Sequence, residues 1–323
     1  MRAWLERLLT ICCWATTFVN LAVALALRLA DRHALPTLFA YGPRWVWIVP
    51  PILLLPTAIL RTRRLLPLLG AIGISLFFVM QLELNLTRRG TPVQTLTVAS
   101  FNAEGQRDVR AFAAFVQEIH ADVVALQEWD EQAGPNALPG LTIQCAGDIC
   151  VASRFAMTMR VALDRRSLGR HFPMAIGTEV SAPMGRFSFF SVHLETVRRG
   201  VEPVLDHGAT GLGRMRRNAD TRDQESRVAS EWIARATLPA IVAGDFNLTT
   251  DSAIFRTHWS RWADAFESAG RGFGYTKFTR WWGARIDHVL FDDNWAAVSA
   301  GTGPDLGSDH RPVVAVLERR GTD

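Results

Sequence analysis

The sequence predicts a layered α/β domain preceded by a membrane region of about three transmembrane helices, and three observations carry that expectation. Beyond residue 91, apolar strand-like runs alternate with amphipathic stretches, and several strands are neighbours at hairpin spacing. Within residues 1–90, three long apolar runs follow one another with arginines at their edges. Finally, strand after strand ends on a polar residue, at Asn102, Glu128, His193 and Asp245 with Asn247, and Asp309-His310 follows a Gly/Ser turn. Loops gathered at one edge of a rigid sheet are where catalytic groups concentrate.

The apolar runs are 8–30, 45–60 and 65–84, the second broken by Pro50, Pro51 and Pro56. The first reaches the roughly 20 residues that cross a bilayer. Arg28, Arg32, Arg44, Arg61, Arg63, Arg64, Arg88 and Arg89 sit at the edges, where long basic side chains snorkel to head groups. A buried helical bundle and a signal peptide cleaved near Ala22-Val23-Ala24 are the competing readings; two further spans favour an uncleaved anchor. Charge divides the chain in the same place. Residues 1–90 hold ten arginines against three acidic residues, a balance of +7, whereas residues 91–323 carry 25 basic against 28 acidic residues, a balance of −3. The basic character therefore belongs to the apolar region and is not the basic stripe of a nucleic-acid binder. Five arginines fall on each side of a three-span topology, so the positive-inside count leaves orientation open. Cys145 and Cys150 bracket Ala-Gly-Asp-Ile and suit either a short disulfide loop or two separate thiols; the pair tips the reading toward a periplasmic or extracellular domain.

Taken in order, Gly90-Thr91-Pro92 reads as the linker between a region 1–90 and a domain 91–323. Thr95 to Phe101 alternates as a strand ending at Asn102. Val109, Phe112, Ala113, Val116 and Ile119 recur at helical spacing. Asp122 to Leu126 is a strand delivering Gln127-Glu128, Asn136 to Gly140 a turn-rich loop, and Ile149 to Ser153 a short strand. Ala175 to Val180 and Arg186 to Val192 are strands, the second delivering His193. Residues 195–217 form an insertion with no clear period, Asp223 to Ala236 an amphipathic helix and Leu238 to Val242 the strand before Asp245. Arg285 to Phe291 carries Asp287-His288, and Val313 to Leu317 is the last strand.

Gly244-Asp245-Phe246-Asn247 is the stretch the others serve. In an extended segment Asp245 and Asn247 share a face while Phe246 points into the core. A carboxylate beside a carboxamide suits a phosphate attacked by water, one group taking a proton and the other donating to oxygens that gain charge.

Six separated motifs, Ser100-Phe101-Asn102, Leu126-Gln127-Glu128, Ser191-Val192-His193-Leu194, Gly244-Asp245-Phe246-Asn247, Arg285-Ile286-Asp287-His288 and Ser308-Asp309-His310, resemble in order and approximate spacing the endonuclease/exonuclease/phosphatase superfamily, over about residues 93–318. The resemblance implies a four-layered, DNase I-like α/β sandwich and Mg²⁺-dependent phosphoester hydrolysis, with Mn²⁺ a possible substitute. Carried over, Glu128 is the principal metal ligand, with Asn102 beside it and Asp309 near the metal. Asp245 orients or deprotonates the water, Asn247 and His193 stabilise the transition state, and His310, oriented by Asp287, contacts the scissile phosphate or moves a proton. Hard Mg²⁺ held by one or two carboxylates agrees with that set. Glu104 stands where DNA-repair members often carry Asp, and the phosphate-contacting tyrosine of those nucleases has no counterpart, Tyr275 being the domain's only tyrosine.

The arginines around the insertion, Arg198, Arg199, Arg214, Arg216, Arg217 and Arg222, read either as a solvated surface or as a sensor of an anionic head group, with Arg222 the candidate. Trp281 and Trp282 read as cleft lining, edge packing or a membrane-facing patch, with Trp282 the substrate candidate. The sequence thus favours a membrane-anchored phosphodiesterase acting on a lipid or envelope-associated phosphoester. An extracytoplasmic nuclease, disfavoured by the −3 balance, and a non-catalytic membrane binding module are the alternatives.

Overall fold

A computed structural model of the chain describes residues 2–85, 94–104, 109–130, 137–169 and 172–320. The linker 90–92, Arg88, Arg89 and Asn136 lie outside the described residues.

Two six-stranded sheets form the centre of the domain. The first runs in the order Trp295–Thr302, Val313–Arg319, Thr95–Asn102, Val123–Gln127, Ile149–Ser153, Thr142–Ala146. The second runs Ala263–Asp264, Asp287–Phe291, Ala240–Asp245, Gly185–His193, Pro173–Ala182, Ala156–Asp164. Strand alternation sorts the side chains into layers. Leu96, Val98, Val123 and Ala125 of the first sheet meet Phe187, Phe189, Ile241 and Ala243 of the second in one buried core. The residues between them face outward. Ala99, Phe101 and Val124 take the helix Val109–Glu118 through Phe112, Phe115 and Val116. Phe190, Val192 and Val242 take Ala229 and Ile233 of the helix Leu212–Ile233, with Ile254, Phe255 and Trp259. Helix, sheet, sheet and helix make the four-layered sandwich that the sequence predicts.

The insertion is the main departure from the expected elements. Residues 195–217 contain the helix Arg198–His207, and the next helix begins at Leu212 rather than at Asp223. Much of this helical surface is exposed, so no strong apolar period marks it in the sequence. Ala156–Asp164 and Trp295–Thr302 are strands that the sequence reading did not mark. Cys145 and Cys150 are cross-strand partners and form a disulfide within the hairpin.

In the N-terminal region, Ala3–Leu27 and Thr62–Val79 are long and apolar enough to cross a membrane. The middle run differs from a plain span: Ala34–Tyr41 and Arg44–Ile59 pass the same test only together and meet at a 93° bend. The third helix also stops short of residue 84, because Glu83–Leu84 pairs as a strand with Arg271–Gly272 of the domain. Ser75 donates to Asn20 Oδ1 at 2.7 Å and Thr17 to the Pro67 carbonyl at 2.7 Å, so polar groups between the helices satisfy one another.

Candidate active site

Strand direction assembles the site. Thr95–Asn102 is parallel to Val123–Gln127, and Gly185–His193 is parallel to Ala240–Asp245, so in each sheet two C-terminal ends open on a common edge. Asp287 begins a strand antiparallel to the Asp245 strand and is its register partner, while His193 is the register partner of Asp245 on the other side. His310 lies three residues before Val313, whose strand runs antiparallel to that of Asn102. C-terminal ends of some strands and N-terminal approaches of others therefore meet at one rim.

Asp245 is at its centre and is 1% exposed. Asn102 Nδ2 donates to Asp245 Oδ2 at 3.1 Å and to Glu128 Oε1 at 3.1 Å. His193 Nε2 lies 3.9 Å from Asp245 Oδ2 and 3.7 Å from Glu128 Oε1, and His310 Nε2 lies 3.8 Å from Asp245 Oδ2. His310 Nδ1 is 2.8 Å from Asp287 Oδ2, the contact that fixes the orientation of its ring. The turn after Asp245 is not extended. Asn247 has φ +53°, its N–H donates to Asp245 Oδ1 at 2.8 Å, and its side-chain amide donates to the Leu194 carbonyl at 2.9 Å. An Asx turn, not strand alternation, places the carboxylate and carboxamide together. Phe246 does point into the core, against Trp259. Gly244 is required where it stands, because a Cβ there would lie 2.0 Å from the Val192 carbonyl oxygen. Glu128 and Glu104 also hold left-handed backbones, at φ +50° and +43°, so uncommon conformations cluster at this rim.

The electrostatics separate two histidines. Burial, reinforced by Arg165, pushes His193 down to about 4, so it is neutral near pH 7. Burial also opposes charge on His310, but Asp287 and Asp245 outweigh it and hold that imidazole up at about 9. Asp245 is raised to about 7 by burial and by Asp287, against the pull of His310 and of its hydrogen bonds from Asn102 and Asn247.

The donor set fits a hard divalent cation. One ligand atom each from Asp245, Asp287 and His310 lies within 4.8 Å of the others, but His310 is already committed to Asp287. Glu128, with 41% of its side chain exposed, offers oxygens on the more open side, which suits an ion that keeps its waters, whereas Asp309 Oδ2 is paired with Lys277 and leaves only its Oδ1 for a cation. Asp287 Oδ1 and Asp309 Oδ1 are buried without a hydrogen-bond partner among the described residues.

Eight of the ten site residues expected from sequence thus lie at this rim: Asn102, Glu128, His193, Asp245, Asn247, Asp287, Asp309 and His310. Two do not act as expected. Arg222 is 1% exposed, pairs with Asp31, and donates to Tyr41 Oη at 2.5 Å and the Asn247 carbonyl at 2.6 Å. Both terminal nitrogens are engaged inside the protein, so it is not a head-group sensor. Trp282 donates its indole N–H to the Tyr41 carbonyl at 3.0 Å, packing against the N-terminal region rather than presenting that edge to a substrate. Arg198, Arg199, Arg214, Arg216 and Arg217 are exposed on the two inserted helices. Sequence reasoning missed Lys277, which pairs with Asp309 and is bridged to His310; its one signal is that it is the chain's only lysine. Ser308 was quoted in its motif but given no role; its hydroxyl donates to the Asn102 carbonyl at 2.9 Å and accepts from His310 N at 3.0 Å.

Comparison with known proteins agrees with this fold. The family model described as "Endonuclease/Exonuclease/phosphatase family" matches residues 99–310. The chain belongs to that family, whose members are hydrolases acting on phosphoester bonds. Among solved structures it is similar to an endonuclease/exonuclease/phosphatase from Bacteroides vulgatus (20% identity, 70% of this chain and 100% of that chain, TM-score 0.53). It is also similar to a humanized D. rerio TDP2 (16% identity, 69% and 99%, TM-score 0.52) and to the 3' phosphatase NExo from Neisseria bound to a product DNA hairpin (17% identity, 70% and 100%, TM-score 0.50). At these identities the likeness establishes the DNase I-like fold. No curated protein matches the chain.

Proposed function

We propose that the chain is a membrane-anchored, Mg²⁺-dependent phosphodiesterase acting on a lipid or envelope-associated phosphoester. The observation that carries this reading is the closed constellation of Asp245, Asp287 and His310 beside Asn102 and Glu128. Asp245 accepts the proton of the attacking water, its basicity raised by burial. His310, kept protonated by Asp287, donates to the phosphoryl group or to the departing oxygen. Neutral His193 and the amide of Asn247 are hydrogen-bond donors to the phosphoryl oxygens. Glu128, with Asn102 and Asp309, would hold the cation, which supplies charge neutralisation at the phosphate when bound.

Residues 1–90 serve as the anchor and 91–323 as the catalytic domain. Support for the anchor comes from apolar side chains turned outward on the helices, among them Ile11, Phe18, Leu53, Ile59 and Leu66. The Cys145–Cys150 disulfide supports a domain on the periplasmic or extracellular side.

The competing reading, an extracytoplasmic nuclease, draws on the DNA-bound Neisseria structure. Against it stands the −3 balance of residues 91–323. The deciding experiment presents the detergent-solubilised protein with a phospholipid panel and with plasmid DNA at several salt concentrations. Cleavage of a phospholipid is the expected result; strong, salt-sensitive DNA cleavage overturns the ranking.

A further inference from the structure

We propose that the segment between the first two apolar runs is part of the catalytic scaffold, with Asp31 and Tyr41 as positioning residues that act through Arg222 on Asn247. From the preceding reading the inference takes only that Asp245 and Asn247 do the chemistry.

The turn that follows Asp245 is held from the N-terminal region at four of its residues. The Asn247 carbonyl accepts from Arg222 Nη2 at 2.6 Å and from Tyr41 Oη at 3.4 Å. Gln81 donates to Thr250 Oγ1 at 3.0 Å. Arg44 grips Asp251 with two parallel bonds of 2.9 and 3.1 Å, the fork geometry that fixes a carboxylate in both distance and plane. Ser252 donates to Asp31 Oδ2 at 2.5 Å.

Arg222 is the hub. Its guanidinium is buried, and the carboxylate that pairs with it comes from Asp31, in a different part of the chain. The Tyr41 hydroxyl accepts from Arg222 Nη2 and shares its single proton between Asp31 Oδ2 at 3.3 Å and the Asn247 carbonyl at 3.4 Å, closing the network. The backbone shows the same demand. Asp31 and Gln81 hold left-handed conformations, at φ +69° and +57°, as does Asn247 at +53°. Such conformations persist where surrounding contacts over-determine them. Because the Asn247 N–H is also the donor to Asp245 Oδ1, a shift of this turn moves a partner of the central carboxylate. A charged group stripped of its buried partner does not stay in place, so loss of Asp31 displaces Arg222 and, with it, the Asn247 carbonyl. The N-terminal region is thus more than a tether.

The test uses the full-length protein in detergent with bis-p-nitrophenyl phosphate. Asp31→Asn removes the charge partner, Tyr41→Phe removes only a hydroxyl, and Asp31→Glu retains a carboxylate. Arg61→Gln, which breaks the exposed pair with Glu6 elsewhere in the region, is the control. Asp31→Asn is expected to lower kcat about 10- to 100-fold with KM within about twofold, as for a misplaced catalytic group. Tyr41→Phe is expected to follow in the same direction, Asp31→Glu to recover part of the loss, and Arg61→Gln to match the parent. Amide exchange should rise in peptides covering residues 246–252 and in those around Asp31, Tyr41 and Arg222, with the two central sheets unchanged. Parental kcat in both Asp31→Asn and Tyr41→Phe overturns the proposal, as does a loss of activity accompanied by faster exchange throughout the molecule. If the parent protein hydrolyses no phosphoester, the phosphodiesterase reading fails and exchange decides alone: unchanged protection at 246–252 in Asp31→Asn overturns the positioning role, and local loss of protection supports it.

Discussion

Asp245 and His310 lie 3.8 Å apart and have opposite proton needs in the proposed mechanism, so the pH profile should report both. Asp245 accepts a proton only when ionised, so kcat/KM rises as pH climbs through about 7. His310 donates only when protonated, so activity is lost as pH climbs through about 9. Asp287→Asn removes the carboxylate that holds His310 up. Its alkaline limb should therefore move to lower pH, with the acid limb falling too because Asp287 also raises Asp245. An unmoved alkaline limb would show that His310 is not the group titrating there. The rim residues were legible because most follow a short apolar strand or a Gly/Ser turn, and because the motifs that hold them resemble a known family in order and spacing. Lys277 was not, because its partner Asp309 is brought to it by chain folding rather than by local spacing. Arg222 was misread for a related reason: sequence displays a charge but not its burial, and Asp31, its counter-ion, lies in the region assigned to the membrane.

At the scale of elements, buried polar clusters hold the loops that carry the site. Asp264 caps the helix Ala265–Ala269, pairs with Arg285 and lies 2.7 Å from His288 Nδ1, while His288 Nε2 lies 2.8 Å from the Leu248 carbonyl. Burial works against the Asp264 carboxylate, yet Arg285 and His288 overcome it and depress its pKa to about 2. A depressed folded-state value stabilises the fold above the ordinary carboxylate range, and that contribution fades as pH falls toward 2. Asp264→Ala leaves Arg285 buried with only its contact to the half-exposed Glu267 as an ion pair, and should cost about 3–5 kcal/mol in chemical denaturation, the usual result of breaking a buried pair. A loss below about 1 kcal/mol would place the pair's worth with surface salt bridges instead. Gly244→Ala should prevent correct folding outright, since the Val192 backbone cannot yield to a Cβ at 2.0 Å. The strands and the helix Val109–Glu118 were readable from period, whereas the inserted helices were not: they expose so much surface that their apolar residues trace no continuous stripe.

At the scale of the whole molecule, charge and hydropathy divide the chain near residue 90, but the contacts do not. Arg44–Asp251, Asp31–Arg222 and the pairing of Glu83–Leu84 with Arg271–Gly272 join the two parts. The four-layered domain could be anticipated from its motifs; this junction could not, because no local pattern announces a partner about 200 residues away. The proposed anchor predicts that the protein stays with membranes through alkaline carbonate washing and is released by detergent. Release by carbonate alone would contradict it. The proposed side predicts that Cys145 resists an impermeant thiol reagent on intact cells until reductant is added; prompt labelling without reductant would contradict the disulfide. Whether this rim holds a divalent cation and hydrolyses a phosphodiester is decided by the rate of bis-p-nitrophenyl phosphate hydrolysis with Mg²⁺ and after EDTA, in the parent protein and in folded Glu128→Ala and His310→Ala. EDTA should abolish the activity and Mg²⁺ restore it, and each variant should lose at least about a hundredfold; full activity in EDTA or in either variant would refute a metal-assisted hydrolase at this rim.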